Sequence, residues 1–201
     1  MTDDETDLTE HVAVCPVTDD LAAQIISLAD MSWEGPDATA AMPTFGWTEP
    51  DDTVPMSEVH CVTSQGQFVF ADCGFFMPFA YFYTLALSPD DPFVSVPGWS
   101  VRQDADRGDF DAAVEDAVER FTARLGRPDH TTTLQGSSSM AAGPITWRYA
   151  AWRRNQNVLI VGPKSEAMSY HQFEEGTVHI IPLAAGAPFP EGDELYRLLN
   201  S

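Results

Sequence analysis

Apolar residues recur at helical spacing near the middle of the chain. Within residues 110–125 the apolar positions are four, four, three and four residues apart, at Phe110, Val114, Val118, Phe121 and Leu125. This spacing places them on one face of an α-helix. Asp109 can cap the first turn, while Gly126 and Pro128 oppose continuation. The pattern predicts an amphipathic helix that packs one face against a core.

Two other stretches show the same period over shorter lengths. Residues 19–31 follow Thr18, and either this residue or Asp19 can cap a helix. The apolar stripe of that stretch is Leu21, Ile25 and Leu28. Residues 191–200 carry Leu195, Leu198 and Leu199 along one side. We predict a packing helix for 19–31 and a short helix at 191–200.

Alternating or short apolar runs between turn signals predict the strands. Residues 145–153 are the clearest case, because Ile145, Trp147 and Tyr149 alternate with polar residues. Further strands are predicted at 57–63, 67–73, 93–96, 158–161 and 177–182, and 11–17 is an additional candidate. The turn 64–66 contains glycine and predicts a hairpin between 57–63 and 67–73. The regions 33–55 and 131–143 have loop compositions.

Residues 74–87, GFFMPFAYFYTLAL, contain six aromatic residues within nine positions. The segment is interrupted by Pro78 and is too short to span a bilayer. One interpretation is a central strand that is buried on both faces, since such strands are continuously apolar. The other is an aromatic patch at one edge, with a composition that protein interfaces favour.

These elements predict an α+β domain with two or three helices packed against a mostly antiparallel sheet of six or more strands. Antiparallel pairing is favoured because the strands come in hairpin-like runs and not as repeated βαβ units. Residues 1–10 carry five acids and little to bury, so we predict a disordered tail before a single domain at 11–201. The start of the chain lacks a secretory pattern, so we expect a cytoplasmic protein without a membrane segment.

The formal charge is −21, from 31 acidic and 10 basic residues. A surface of this charge repels phosphate backbones, so nucleic acid is not an expected partner. It attracts basic proteins and speeds their capture. Acidity can equally serve solubility alone or reflect a salty cell interior.

The motifs of common enzyme classes are not found in this sequence. The serines at 137–139 lack the G-x-S-x-G spacing, and neither a phosphate-binding loop nor a dinucleotide fingerprint occurs. The acids of 104–115 resemble a calcium loop, but Gly108 is at its fifth position instead of the sixth. The histidines are scattered, and His60 and His179 fall in predicted strands as expected of structural histidines. We therefore expect no cofactor and no metal.

Cysteine use fits a reducing compartment. The three cysteines, Cys15, Cys61 and Cys73, form no close ligand pairs. An odd and sparse count is expected of buried thiols that act as small apolar groups. A bridge between Cys61 and Cys73 is conceivable because both lie on the predicted hairpin, although the compartment argues against it.

Residues 147–154 combine two tryptophans, a tyrosine and three arginines within an acidic chain. These residue types dominate binding hot spots. They can equally fill the core beneath the helix while the arginines pair with surface acids. Taking the binding interpretation, we predict a partner-binding patch from Phe45, Trp47, Trp152, Arg153 and Tyr170.

The order of motifs resembles a group of small actinobacterial proteins. A helix ends in Leu125-Gly126-Arg127-Pro128, a polar glycine-containing loop follows, and Trp147-Arg148 then lies on the first of three strands. The likeness covers about residues 105–182 and is echoed at 40–43 and 45–47. Many such proteins are immunity proteins encoded beside secreted polymorphic toxins. The resemblance implies a cytoplasmic protein that binds a toxin and blocks its active site, and it implies no catalytic residues.

The leading functional hypothesis is a non-enzymatic inhibitor whose acidic face steers a basic protein while the aromatic patch anchors it. The alternative is a small-molecule-binding protein or enzyme with a pocket between the sheet and the 33–55 loop, using His60 or His171. A cavity with a histidine beside a carboxylate would favour this alternative. A structural subunit of a larger assembly would differ from the inhibitor only in the permanence of its partner. The oligomeric state is left open.

Overall fold

The protein is built around long apolar strands, seen here in a computed structural model that describes residues 8–51, 54, 58–71, 74–86, 93–136, 145–165 and 173–200. The strands are β1 (Leu8–Val14), β2 (Cys61–Val62), β3 (Phe68–Val69), β4 (Phe75–Ala86), β5 (Ser100–Gln103), β6 (His130–Gly136), β7 (Ile145–Arg154), β8 (Asn157–Ser165) and β9 (Phe173–Pro182). The helices are α1 (Asp19–Ala29), α2 (Asp37–Ala41), α3 (Arg107–Leu125) and α4 (Gly192–Leu199), with a 3₁₀ helix at Met42–Phe45.

Seven of these strands form one antiparallel sheet in the order β5-β1-β4-β9-β8-β7-β6. The remaining two, β2 and β3, form a separate hairpin. The predicted α+β class with an antiparallel sheet of six or more strands is confirmed. The described residues contain four α-helices instead of two or three, because α2 lies inside the predicted 33–55 loop.

The aromatic segment forms β4, in the interior of the sheet between β1 and β9. Its pairing with β9 shifts by one residue between Pro78 and Ala80. Such a bulge lets neighbouring side chains face the same side of a sheet. Phe79 and Ala80 thus both enter the core under the helices, whereas Tyr81 enters the core on the opposite face. The interpretation as a strand buried on both faces is confirmed.

The two faces of the sheet are covered differently. Helices α1 and α3 cover one face over a large core that includes Leu21, Ile25, Phe110 and Phe121. The opposite face has two smaller cores. One packs the β2–β3 hairpin and residues 93–99 against β1 and β4, and the other packs α4 against β6, β7 and β8. We call the first side the helix face and the second the outer face.

Helix α3 starts three residues before the predicted 110–125 stretch. Asp106, not Asp109, is the N-cap, and its side chain accepts a hydrogen bond from the backbone N–H of Asp109 at 3.1 Å. The Asp109 carboxylate accepts in turn from the backbone N–H of Asp106 at 3.1 Å, which completes a capping box. At the other end Gly126 has a φ of 81° and a ψ of −170°, a backbone conformation that is essentially confined to glycine and that ends the helix.

Several strand predictions from the sequence are also wrong in position or length. The predicted 131–143 loop begins with strand β6, whose threonine-rich sequence has strand propensity without apolar alternation. The predicted strand at 93–96 is a turn, and β5 follows it at 100–103. Residues 8–10 of the predicted tail pair with β4 as part of β1. Within the described residues of the hairpin predicted at 57–63 and 67–73, the strands are two residues long each.

We predict that the substitution Asp106→Ala lowers the free energy of unfolding by about 1 kcal/mol, because it removes the N-cap of α3. Asp106→Asn keeps a side-chain acceptor and should cost much less. Urea denaturation of both variants checks this. Equal losses in the two variants would show that the cap does not stabilise α3.

Candidate functional site

Both tryptophans of the predicted binding patch are buried on the helix face. Trp47 is 3% exposed, and its indole N–H donates to Gln24 Oε1 at 3.0 Å. Trp152 is 2% exposed and donates to the Gly126 carbonyl at 3.0 Å. Because each indole is enclosed and its N–H is satisfied, neither is available at the surface as an anchor. This corrects the expectation for these two residues, which stabilise the core.

The other members of that patch do not join them in one surface. Phe45 is half-buried, with its ring centroid 5.7 Å from that of Trp47. Arg153 donates from its two Nη atoms to backbone carbonyls of the segment 183–190, at 3.1 and 2.5 Å. These hydrogen bonds hold the segment that leads into α4 against β7. Tyr170 lies outside the described residues.

A cavity of about 340 Å³ lies where the alternative hypothesis expected a pocket, between residues 32–34 and the ends of β8 and β9. Its described lining includes Glu34 but no histidine. His60 is exposed, and its backbone N–H donates to the Val69 carbonyl of the β2–β3 hairpin at 2.7 Å. His171 lies outside the described residues. The pairing of a histidine with a carboxylate is thus not formed by the described lining.

A larger open groove of about 650 Å³ lies between α3 and the β6–β7 end of the sheet. It exceeds both the 340 Å³ cavity and another of about 420 Å³ beside α1. The residues that matter for its chemistry are Glu115, Val118 and Glu119 on the α3 wall and Thr131, Thr133 and Arg148 on the sheet floor. We call this feature the α3–β6 groove.

The groove exists because α3 lies over the middle of the sheet and not over its edge. The buried face of α3 packs against β4, β8 and β9. Strand β6 is two positions beyond β8 in the sheet order. Neighbouring strands are about 4.8 Å apart, so β6 lies roughly 10 Å from β8, which is close to the width of a helix. The strip of sheet above β6 is therefore left open beside α3.

The charges of the groove are accessible. Glu115 and Glu119 are exposed on α3, one helical turn apart, and Arg148 is exposed on the floor. Two carboxylates and one guanidinium give a formal charge of −1. Val114 and Val118 add apolar surface beside the carboxylates. A groove of this kind suits an extended segment with basic side chains better than a compact apolar ligand.

A buried ionic group fixes the first turn of α3 to the sheet. Glu174 on β9 is fully buried, and its carboxylate oxygens lie 2.7 and 2.9 Å from Arg107 Nη1. Trp147 Nε1 donates to the same carboxylate at 3.0 Å. Arg107 also donates from Nε to Asp111 at 2.8 Å. These donors compensate the burial of the carboxylate, so the group serves the fold.

A second charged pair lies on the outer face between the two small cores. Lys164, the only lysine in the chain, has its Nζ 3.7 Å from Glu175 Oε2 and 3.9 Å from the centroid of the Phe76 ring. The same Nζ donates to the Leu199 carbonyl at 3.3 Å. This amine thereby joins β8, β9, β4 and the end of α4.

His179 lies next to that pair and stays neutral. Its ring stacks on Phe76 with centroids 5.0 Å apart, and Nε2 lies 3.1 Å from Thr177 Oγ1. Burial, and to a lesser degree the charge of Lys164, lowers the pKa of His179 well below its usual value. The sequence-based expectation of a structural histidine in a strand agrees with this position.

Burial makes the two thiols among the described residues unreactive. Cys15 and Cys61 are buried and free, and burial raises the pKa of each thiol to about 12. A thiol with so high a pKa is a poor nucleophile and a poor metal ligand. Cys73, the other half of the conceivable bridge, lies outside the described residues.

The acids of the resembled calcium loop have structural partners. Asp106 and Asp109 form the capping box of α3, and Asp109 also pairs with Arg102. Among the described residues, no group of three or more His, Cys, Asp and Glu side chains is placed to bind a metal ion. In the same part of the chain, every helix is too short or too polar to cross a bilayer.

No family model, curated protein or solved structure matches this chain. The candidate site therefore rests on geometry alone. Sequence reasoning missed the groove because β6, which forms part of its floor, was predicted to be a loop. Nothing in the sequence indicated that β6 lies opposite Glu115 and Glu119 of α3.

We predict that Arg107→Ala lowers the free energy of unfolding by about 3 kcal/mol, because it leaves Glu174 buried without its cation. The double variant Arg107→Ala/Glu174→Gln should be more stable than the single variant, since no buried charge is left unpaired. Urea denaturation measures both. Asp111→Ala is the control and should change stability by less than about 0.5 kcal/mol.

The lowered pKa of His179 predicts a pH dependence of stability. Below the unfolded pKa of about 6.5 the unfolded chain binds a proton that the native state does not. Native stability is therefore lost as pH falls from 6.5 towards the folded pKa. Between pH 7 and pH 5.5 we expect the protein to lose about 1 kcal/mol more than His179→Gln does. Identical pH profiles in urea denaturation would contradict the assignment.

Proposed function

We propose that this protein is a non-enzymatic inhibitor of the immunity type, which captures a basic toxin or effector and blocks it. The observation that carries the proposal is the α3–β6 groove, an open acidic channel beside an edge strand. A channel that exposes two carboxylates and apolar surface suits a segment of another protein. The net charge of −21 likewise supports a basic partner.

Long-range electrostatics supports capture as the mode of action. A strongly acidic protein raises the local concentration of a cationic partner and speeds encounter by one to three orders of magnitude at low salt. Exposed carboxylates on α3, Asp116, Glu115 and Glu119, place this field at and beside the groove, while Asp193 and Glu194 on α4 add to it from the outer face of the sheet. Short-range contacts in the groove then determine how long the complex lasts.

The titratable groups of the core support a binding role rather than catalysis. Glu174 is paired with Arg107 and Trp147, and the ring of His179 contacts Phe76 and Thr177. Such partners are what buried polar groups need for stability. The exposed charges of Glu115, Glu119 and Arg148, by contrast, line the groove and belong to none of the ion pairs found among the described residues.

The proposal is tested by affinity capture of the tagged protein from its native cells at low and high salt. We expect one basic protein to be retained, and the association rate of the purified pair to fall at least tenfold between about 50 and 500 mM salt. Addition of the protein should abolish the activity of that partner. Retention of no protein, or of a partner whose binding is independent of salt, would contradict the proposal.

A charge-reversal pair sharpens this test. Glu115→Lys/Glu119→Lys should weaken the captured complex. Glu34→Lys/Glu49→Lys makes the same change in net charge at exposed acids outside the groove, and it should affect only the association rate. Equal loss of affinity in both variants would locate the partner elsewhere on the acidic surface.

A further inference from the structure

The two edges of the main sheet differ in how they are protected. Strand β5 is four residues long and contains Arg102, whereas β6 is seven residues long with the sequence HTTTLQG. Strand β6 pairs with β7 in regular register from His130 to Gly136 and contains no proline and no Lys, Arg, Asp or Glu. Natural edges are usually blunted by such charges, by proline or by bulges. Along the described sheet β6 pairs on one side only, with β7, so its other side is an edge that lacks these protective features; His130 at its start contacts Glu191 and Phe189.

We propose that β6 accepts an added strand, and that the strand is an extended basic segment of the captured partner whose side chains enter the α3–β6 groove. This inference deepens the proposed function and rests on it. Main-chain hydrogen bonds to β6 would supply binding that is independent of sequence, while the groove selects the side chains. The edge and the groove belong to one surface, because β6 forms the floor of the groove.

The spacing of the groove acids indicates which sequence is selected. Glu115 and Glu119 are separated by about 6 Å along the axis of α3, from four residues at 1.5 Å each. Alternate side chains of an extended strand lie on the same side about 6.6 Å apart. The two spacings are similar, so an added strand that runs along α3 would present two basic residues separated by one other residue to the two acids. Arginine suits both positions because its guanidinium binds a carboxylate through two parallel hydrogen bonds.

The floor of the groove allows such side chains to reach the acids. Thr131 and Thr133 are exposed on β6 between the open edge and α3. Their side chains are small, so long basic side chains from an added strand can cross them. Arg148 lies on the same floor and repels a basic segment. Removal of that charge should therefore strengthen binding, which is opposite in sign to removal of the acids.

A second copy of this chain is a poor occupant of the edge. A dimer joined through β6 would bring two net charges of −21 together, and the acids on α3 of the two copies would face each other across the paired β6 strands. A basic segment removes both difficulties. Sedimentation of the free protein is an independent check: a stable dimer that protects β6 would overturn the proposal.

The experiment uses the full chain and a synthetic, acetylated and amidated heptapeptide, Val-Thr-Arg-Val-Arg-Thr-Val, whose length equals that of β6. Calorimetry at low salt measures affinity, and amide hydrogen exchange locates binding. Control peptides replace both arginines by glutamate, or carry N-methyl groups on alternate amides to prevent strand pairing. The protein variants are Glu115→Gln/Glu119→Gln, Arg148→Gln, and Glu34→Gln/Glu49→Gln as the matched charge control.

We expect the arginine peptide to bind and to slow exchange of alternate amides of β6. Glu115→Gln/Glu119→Gln should weaken binding roughly three- to tenfold, as expected for two exposed ion pairs, and Arg148→Gln should tighten it. The matched charge control should bind like the unchanged protein. The glutamate and N-methylated peptides should not bind measurably.

Each other result has a defined meaning. Binding that survives N-methylation, or that leaves β6 exchange unchanged, overturns strand addition. Failure of every peptide, while the partner captured from cells binds and is insensitive to the Glu115→Gln/Glu119→Gln change, overturns this inference but leaves the proposed function standing. Strand addition by the peptide with no captured partner would leave the surface established and overturn the inhibitor role.

Discussion

The structure depends on the burial of both faces of the central strands β4, β9 and β8. These strands carry large apolar or aromatic side chains in both directions, so a helix layer on one side alone would leave half of them in water. The chain meets this constraint with three cores: one under α1 and α3, one under the β2–β3 hairpin and residues 93–99, and one under α4. Helices α1, α3 and α4 and the β2–β3 hairpin thus cover the two faces of these strands.

Two close contacts at the central strands are possible only because the strand residue is glycine. A Cβ on Gly176 of β9 would lie 3.0 Å from Val114 Cγ2 of α3. A Cβ on Gly162 of β8 would lie 2.3 Å from the ring of Tyr149. Gly176 lets α3 pack directly against the sheet, and Gly162 leaves room for the ring of Tyr149 on the neighbouring strand β7. Because α3 packs on the middle strands, it does not cover the edge strand β6. The groove is the space that remains between them.

The sequence contains enough information for the class of the fold but not for its edges. Apolar periodicity identified α1 and α3, and the continuous aromatic run identified β4, because burial on a fixed face produces those patterns directly. Strand β6 was missed because an exposed edge strand needs no apolar alternation and gains its conformation from pairing with β7. The tryptophans Trp47 and Trp152 were read as exposed, since residue type alone does not distinguish a hot spot from a core.

Charge placement on α3 separates the residues that serve the fold from those available to a partner. Among the ion pairs of the described residues, Asp111 pairs with Arg107 and Asp116 with Arg120, each one turn away on the helix. None of these pairs includes Glu115 or Glu119. Two like charges at this spacing destabilise an isolated helix by a few tenths of a kcal/mol. A basic ligand would relieve that repulsion. Unrelieved repulsion between neighbouring carboxylates is a feature expected of a binding surface rather than of a packing surface.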